Sequence, residues 1–441
     1  MREQIKKTSH RNHRNLQKKP SVSHLLRAKY PEPNKLTMKI IYLFTSPSLH
    51  GSSVQTKVLN QIKYLNLAGA ECRGAFFSTE VKGVTPFNDQ VDFIPVDICN
   101  WKYFKASGNK RKIMEAVLKY ARSKYNDIDF FYFRYPEAGS LLNTFCSKYG
   151  KKTIFEHLSI EEFEIKLHTQ ENPFGLSPSK LFSWLEYSKL PLWREYLFGK
   201  TMRKNVKLGI CNSKEIADFQ NRKSGGIYQC IIGGDAFEVV AYPLKTRPIL
   251  EQELRMVFLK GASTSADFNG LDRIIKGIAN YQGSFKLKLY ILGHQLDAEK
   301  DTVSKLNIED KVKLMSPKRG EELFDFLKDI HIGIATLGLF RKGLNETTTI
   351  KVREYIALGL PFIFAYTDPD LNEEAKEFAL EFPNDDSIID MGKVTEFAKK
   401  ALVDKELPQK MRNYAEEHLD YEVKMKHLYS KFNRLLVNEN N

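Results

Sequence analysis

Long apolar runs are missing from this chain. Nowhere in its 441 residues do the roughly 20 consecutive apolar positions of a membrane-spanning helix occur, and the N-terminus lacks the apolar core of a signal peptide. Neither export nor membrane insertion is therefore expected. Cysteine is scarce as well: Cys72, Cys99, Cys146, Cys211 and Cys230 are scattered, odd in number, and form no C-x-x-C or Cys/His cluster. That pattern excludes a disulfide framework and a zinc site of ordinary spacing, and it suits a reduced, cytoplasmic setting. Acidic residues are in deficit, 54 against 68 basic, for a formal net charge of +14. The excess is uneven, because residues 1–37 hold ten Lys/Arg against Glu3 and Glu32 and so carry +8 of the total. A basic balance favours anionic lipid, phosphate-bearing substrates or nucleic acid, and charge alone does not choose among them.

What is present is a globular composition, 42% hydrophobic, in a chain long enough for two or three domains. Residues 1–37 are polar and basic, with Pro20, Pro31 and Pro33 and no apolar period, and they are expected to be a disordered extension. Met38 opens the first apolar strand (38–44), so it reads either as the natural start or as the first residue after a basic tail. A small-residue loop with Gly51 and Ser52 then leads to an amphipathic helix over 54–68, the strand, loop, helix unit through which doubly wound sheets approach phosphates. Further strands are predicted at 73–77, 91–96, 129–134, 152–155 and 206–213, with helices over 110–125 and 139–149. This alternation means a parallel sheet covered on both faces. After a Pro-containing linker over 240–253 the alternation restarts, with strands at 255–259, 285–291, 312–315, 330–336 and 361–366. A helical tail follows over 394–436.

The most informative stretch is 341–365, which runs Arg341-Lys342-Gly343-Leu344-Asn345-Glu346-Thr347-Thr348-Thr349 into a predicted helix over 350–358, then Gly359, Pro361 and an apolar strand. The Thr run suits a helix N-cap, Gly359 suits the residue just past its end, and Pro361 stops continuation. Free amides at the helix start favour a phosphate. Glu346 and Glu354 lie about two helical turns apart, roughly 10 Å along the axis at 1.5 Å per residue. That span suits a nucleoside diphosphate-sugar, with one carboxylate accepting from sugar hydroxyls and the other from ribose. On spacing alone the competing reading is a solvated charged helix face that includes Lys351 and Arg353.

Glu346 and Glu354 stand in the E-x7-E arrangement of retaining glycosyltransferases, and the segment resembles the donor site of glycosyltransferase family 4 (group 1 glycosyltransferases). The resemblance is strongest over 254–371. It implies the GT-B fold: two Rossmann-like, doubly wound parallel-sheet domains facing a central cleft, an acceptor domain over 38–240 and a nucleotide-sugar domain over 250–395, with helices over 396–441 crossing back. By resemblance Glu346 contacts the transferred sugar, the amides of Thr347, Thr348 and Thr349 the diphosphate, and Glu354 the ribose. It also makes His157, at the end of the 152–155 strand, a candidate catalytic histidine; by spacing alone such a residue is more often structural. Gly51 and Ser52 become candidates near acceptor and diphosphate, and the loops at Gly293 and Pro317 candidates beside the nucleotide. The turn Ile231-Ile232-Gly233-Gly234-Asp235 is similar to the family's "NG(I/V)D" turn, with Gly233 in place of Asn.

One departure stands out. The family usually neutralises the diphosphate with an Arg after the first strand of the second domain and a Lys before a "KG" turn; this chain reads Lys260-Gly261-Ala262 and Phe268-Asn269-Gly270, so Asn269 takes the Lys position and no Arg is identifiable. Lys260, Arg341 or Lys342 is expected to substitute, or the donor set differs. The resemblance implies transfer of a sugar to a saccharide or lipid-linked acceptor, in bacterial surface polysaccharide synthesis; no cofactor is expected, and no divalent metal, because Asp127-Ile128-Asp129 leads into a strand and Asp368-Pro369-Asp370 follows the 350–358 helix instead of forming a carboxylate pocket. Residues 177–205 mix aromatics with Lys/Arg, which fits either a peripheral contact with an anionic membrane or two helices packed on the sheet around Pro191. The rival functions are a non-hydrolysing nucleotide-sugar epimerase on the same fold and a basic nucleic-acid-binding protein; nucleic acid is not the expected partner, because the E-x7-E segment has no use there.

Overall fold

Strand β1 (Lys39–Thr45) is apolar throughout its middle and buried on both faces, as a strand covered by helices on each side must be. The computed structural model describes residues 37–46, 53–80, 89–100, 104–167, 178–244, 247–261, 266–294 and 296–437. The N-terminal extension over 1–36, together with Gly51 and Ser52, lies outside the described residues.

The first sheet has seven parallel strands in the order β3-β2-β1-β4-β5-β6-β7, with β2 (Glu71–Ser78), β3 (Val91–Pro95), β4 (Phe130–Arg134), β5 (Thr153–His157), β6 (Leu208–Cys211) and β7 (Cys230–Ile232). The second has six, in the order β10-β9-β8-β11-β12-β13: β8 (Glu253–Leu259), β9 (Lys286–Leu292), β10 (Val312–Met315), β11 (Ile332–Ile334), β12 (Phe362–Phe364) and β13 (Ala379–Glu381). All pairings in both sheets are parallel. Strand order reverses between β1 and β4 in one sheet and between β8 and β11 in the other. Ligands of open α/β sheets bind at such switch points, beyond the carboxyl ends of the strands.

Each sheet is sandwiched between two apolar clusters. Two of these clusters tie the halves of the chain together. The terminal helix Tyr421–Val437 buries Tyr421, Met425, Leu428 and Phe432 in the core of the first sheet, where Phe432 lies 5.7 Å from the ring of Phe130 and Tyr421 stacks on Tyr64 at 5.4 Å. In the opposite sense, Ile160, Cys211, Ile216, Phe237 and Val239 of the first half join Leu339, Leu344, Val352 and Tyr355 of the second in one cluster.

Two local features differ from the sequence reading. Strands β7 and β13 are additional edge strands of three residues each. The stretch around Pro191 is not two separate helices: Pro178–Trp184 passes through a wide π-type turn, Leu185–Lys189, into Leu190–Asn205. Proline lacks the amide that a regular helix needs, and the wider turn just before it absorbs the mismatch. In keeping with the sequence, all five cysteines are free thiols, four of them buried.

Candidate functional site

The stretch that carries both glutamates folds into helix Ile350–Ala357, and its two ends have different causes. At the far end Gly359 adopts φ +66 and its amide, with that of Leu360, satisfies the carbonyls of Ile356 and Tyr355. At the near end Thr349 takes the cap position with extended backbone, but its hydroxyl turns to Tyr366 at 2.9 Å and caps nothing. Thr348 is buried and faces the first domain: its hydroxyl donates to Asp235 Oδ2 at 3.2 Å and accepts from the Asp235 amide at 3.1 Å. Thr347 donates its amide to the carbonyl of Thr367. The first turn of the helix thus has no side-chain cap and no acidic residue, which leaves its positive end available to an anion.

Glu346 lies at the boundary between the halves. Its Oε2 accepts from the amide of Glu215 at 2.9 Å, while Glu215 Oε2 accepts from the amides of Asn345 at 2.7 Å and Glu346 at 2.8 Å. Glu215 sits in the first turn of helix Lys214–Ser224, capped by Ser213, so each carboxylate rests on the other segment's amides. Glu354 is half-buried in helix Ile350–Ala357, with Oε1 accepting from the Tyr242 hydroxyl at 3.1 Å. Burial pushes its carboxyl up to about 7, against the pull of the Tyr242 bond and of Lys351.

The helix is no solvated charged face. Arg353 is fully buried and its guanidinium clasps Asp368 and Asp370, the latter also held by Lys424 from the terminal helix. Lys351 is half-buried, its ammonium 4.2 Å from the centre of the Phe258 ring and 3.3 Å from Asn269 Oδ1. The three residues expected to supply charge for a diphosphate each hold a carboxylate: Lys260 binds both oxygens of Glu299 at 2.9 and 3.0 Å, Arg341 grips Asp272 and Asp386, and Lys342 lies 3.6 Å from Glu164 across the domain boundary. Gly261 is exposed directly after Lys260. Gly293 closes β9, its amide on the Met315 carbonyl, and Pro317 lies half-buried in the loop after β10. Asn269 is buried beside Gly270, whose φ of +66 and approach to the Gly338 amide leave no room for a side chain: a Cβ there would lie 2.6 Å away.

His157 has no open nitrogen. The ring is 1% exposed, Nδ1 sits 2.5 Å from Glu161 and Nε2 3.1 Å from the Tyr228 hydroxyl, and Tyr135 covers it at 4.8 Å. Glu161 also bonds Arg203 and Gln220; burial opposes its charge, but His157 and Arg203 hold its carboxyl down at about 2. The expectation that His157 would face reactants is therefore not met by its geometry; it is a member of a satisfied network inside the first domain.

Sequence reasoning overlooked a buried polar chain beneath the cleft. Lys57, on helix Ser53–Leu67, reaches Asp235 at 2.6 Å and Glu156 at 3.3 Å, and Gln61 and Tyr42 complete Glu156. Burial disfavours the charges of Asp235 and Glu156, yet Lys57 keeps both carboxyls below their usual range. Through Thr348 this chain is bonded to the start of helix Ile350–Ala357. The only sequence signal was position, Asp235 in a Gly-Gly-Asp turn and Glu156 at a strand end, since Lys57 reads as one more polar helix residue. Among the described residues, no group of three or more His, Cys, Asp or Glu is placed to hold a metal ion.

No protein-family model matches the sequence, and no curated protein matches it significantly. Solved structures do resemble it. Sucrose-phosphate synthase from Thermosynechococcus elongatus aligns with a TM-score of 0.64 at 13% identity, over 91% of this chain and 100% of that one. WaaG, a glycosyltransferase involved in lipopolysaccharide biosynthesis, aligns at 0.56 and 15%, over 88% and 98%. Anabaena HepE in complex with UDP-glucose aligns at 0.55 and 12%, over 89% and 98%. With two all-parallel α/β sheets, of seven and six strands, and with glycosyltransferases of this architecture superposing over about nine-tenths of its length, the chain has the GT-B fold.

Proposed function

We propose that this protein is a retaining glycosyltransferase that moves a hexosyl group from a nucleotide-sugar to a saccharide or lipid-linked acceptor, in bacterial surface polysaccharide assembly. The observation that carries the reading is the placement of Glu346 and Glu354 at either end of an uncapped helix start, directly at the boundary between two parallel-sheet domains. Neighbours of the same fold crystallised with UDP and with UDP-glucose support a nucleotide-sugar as donor. In this reading the amides of the helix start hold the diphosphate, Glu354 accepts from ribose and Glu346 from the sugar, so the Glu215 amide must release Glu346 when donor enters. The acceptor hydroxyl attacks from the face the diphosphate leaves and passes its proton to a phosphate oxygen.

The protein works in the cytoplasm and touches the membrane from the side. Support comes from helix Leu190–Asn205, which exposes Trp193, Tyr196 and Leu197 on one face beside Lys189 and Lys200. No helix of the described residues is long and apolar enough to cross a membrane.

The test is donor hydrolysis screened across UDP-, GDP- and ADP-sugars, followed by Glu346→Gln. That variant should bind free nucleoside diphosphate as wild type does, because no sugar is present, yet lose turnover with the intact donor. No hydrolysis of any donor and no binding of any nucleoside diphosphate would refute the reading. Conversion of a donor to an isomeric nucleotide-sugar without acceptor would make the protein an epimerase.

A further inference from the structure

The anion at the donor helix needs a cation, and the structure narrows the choice by elimination. Lys260, Arg341, Lys342 and Arg353 are each committed to a carboxylate within 4 Å: Glu299, Asp272 with Asp386, Glu164, and Asp368 with Asp370. Releasing Lys260 or Arg353 would strand a buried acid and releasing Arg341 a half-buried one, a loss that binding would have to overcome, whereas Lys342 holds only the exposed Glu164 at 3.6 Å. Lys351, by contrast, has no carboxylate within 4 Å among the described residues, and Glu354, one turn on, acts on it only at longer range. Its contacts are a neutral amide oxygen, Asn269 Oδ1 at 3.3 Å, and the face of Phe258 at 4.2 Å.

Its location fits the task. Lys351 is the second residue of helix Ile350–Ala357, and side chains on a helix lean toward its N-terminus, so the ammonium projects to the same end as the uncapped amides. Phe258 lies near the carboxyl end of β8, and Asn269 in the turn that precedes helix Leu271–Asn280, so Lys351 points into the switch point between β8 and β11. Neutral amide and ring quadrupole both orient an ammonium without quenching its charge.

We propose that Lys351 is the cation that neutralises the diphosphate of the bound nucleotide-sugar, steered by Asn269, which occupies a position where a second cation would repel it. This rests on the nucleotide-sugar reading above. It explains why the chain lacks a basic residue at 269: the charge arrives on the donor helix, 82 residues later, instead of on the loop after β8. Burial lowers the Lys351 ammonium to about 8, with Lys342 adding to the effect and Glu354 opposing it, so a diphosphate beside it would hold the ammonium more firmly in its charged form.

Calorimetric titration of the full chain with UDP, GDP and ADP, the matching nucleosides, and inorganic pyrophosphate tests this. Lys351→Met should weaken the best nucleoside diphosphate, and pyrophosphate, roughly ten- to a hundredfold while leaving the nucleoside unchanged. Lys351→Arg should keep most of the affinity. Lys351→Met combined with Asn269→Lys should recover it, because the charge is returned to the same place from the other side. Unchanged diphosphate binding by Lys351→Met, or an equal loss for nucleoside and diphosphate that Asn269→Lys does not rescue, would overturn the proposal. Wild-type protein that binds pyrophosphate through Lys351 but no nucleoside diphosphate would keep the cation and remove the nucleotide-sugar reading.

Discussion

Glu354 carries a carboxyl whose ionisation should be visible in binding. It is half-buried, hydrogen-bonded to the Tyr242 hydroxyl, one helical turn from Lys351, and burial raises it to about 7. A carboxylate accepts from ribose hydroxyls far better than a protonated acid does. If only the ionised form binds, the competent fraction climbs from about a tenth at pH 6 to about nine-tenths at pH 8, and affinity for nucleoside diphosphate rises about tenfold. Glu354→Gln removes the titration. Its affinity should lack that rise, similar to wild type at pH 6 and roughly tenfold weaker than wild type at pH 8. The ligand's own terminal phosphate titrates in this range too, but it does so equally for both proteins, so the ratio isolates the side chain. Stability provides a second reading with a definite sign. A carboxyl raised above its ordinary 4.5 favours the fold while protonated, so its contribution is complete below that value and lost as pH rises through about 7. Glu354→Gln should therefore melt like wild type at pH 5 and higher than wild type at pH 8. Parallel affinity profiles for the two proteins from pH 6 to 8 would refute the assignment of Glu354 to ribose.

Four further outcomes are expected. Arg353→Met strands Asp368 in the interior and should cost about 3–5 kcal/mol in urea unfolding, part of which Arg353→Met with Asp368→Leu should recover. Gly359→Ala forces a side chain into φ +66 and places its Cβ 2.6 Å from that of Pro408, so a loss of at least about 1–2 kcal/mol should appear in the same assay. Phe432→Ala opens a cavity against Phe130 and Tyr132 and should cost about 3–5 kcal/mol, destabilising the first domain although the residue lies at the far end of the chain. EDTA should leave donor turnover intact; a reversible requirement for Mn²⁺ or Mg²⁺ would contradict the metal-free mechanism.

Local sequence was enough wherever the determinant is local. The runs that became β1, β4, β8 and β9 are legible because a strand buried on both faces must be apolar without interruption, and the stop at Gly359 because only glycine takes a left-handed turn cheaply. Alternation of such strands with helices determines two parallel sheets, hence the GT-B plan. Strands β7 and β13 escaped this logic: three residues at a half-exposed edge carry no period, and they are strands only because a neighbour offers a ladder. The site divides the same way. Two glutamates eight residues apart on one helix are a fact of sequence, whereas the state of every charge around them depends on partners remote in the chain. Lys260, Arg341 and Lys342 read as free cations until Glu299, Asp272 and Glu164 are brought beside them; Lys351 reads as a surface lysine until Phe258 and Asn269 enclose it; His157 reads as reactive until Glu161 and Tyr228 take both nitrogens. Covalent spacing determines where a charge is carried along an element, but burial and pairing determine what that charge can do, and those are set only when the two sheets and the terminal helix close around it.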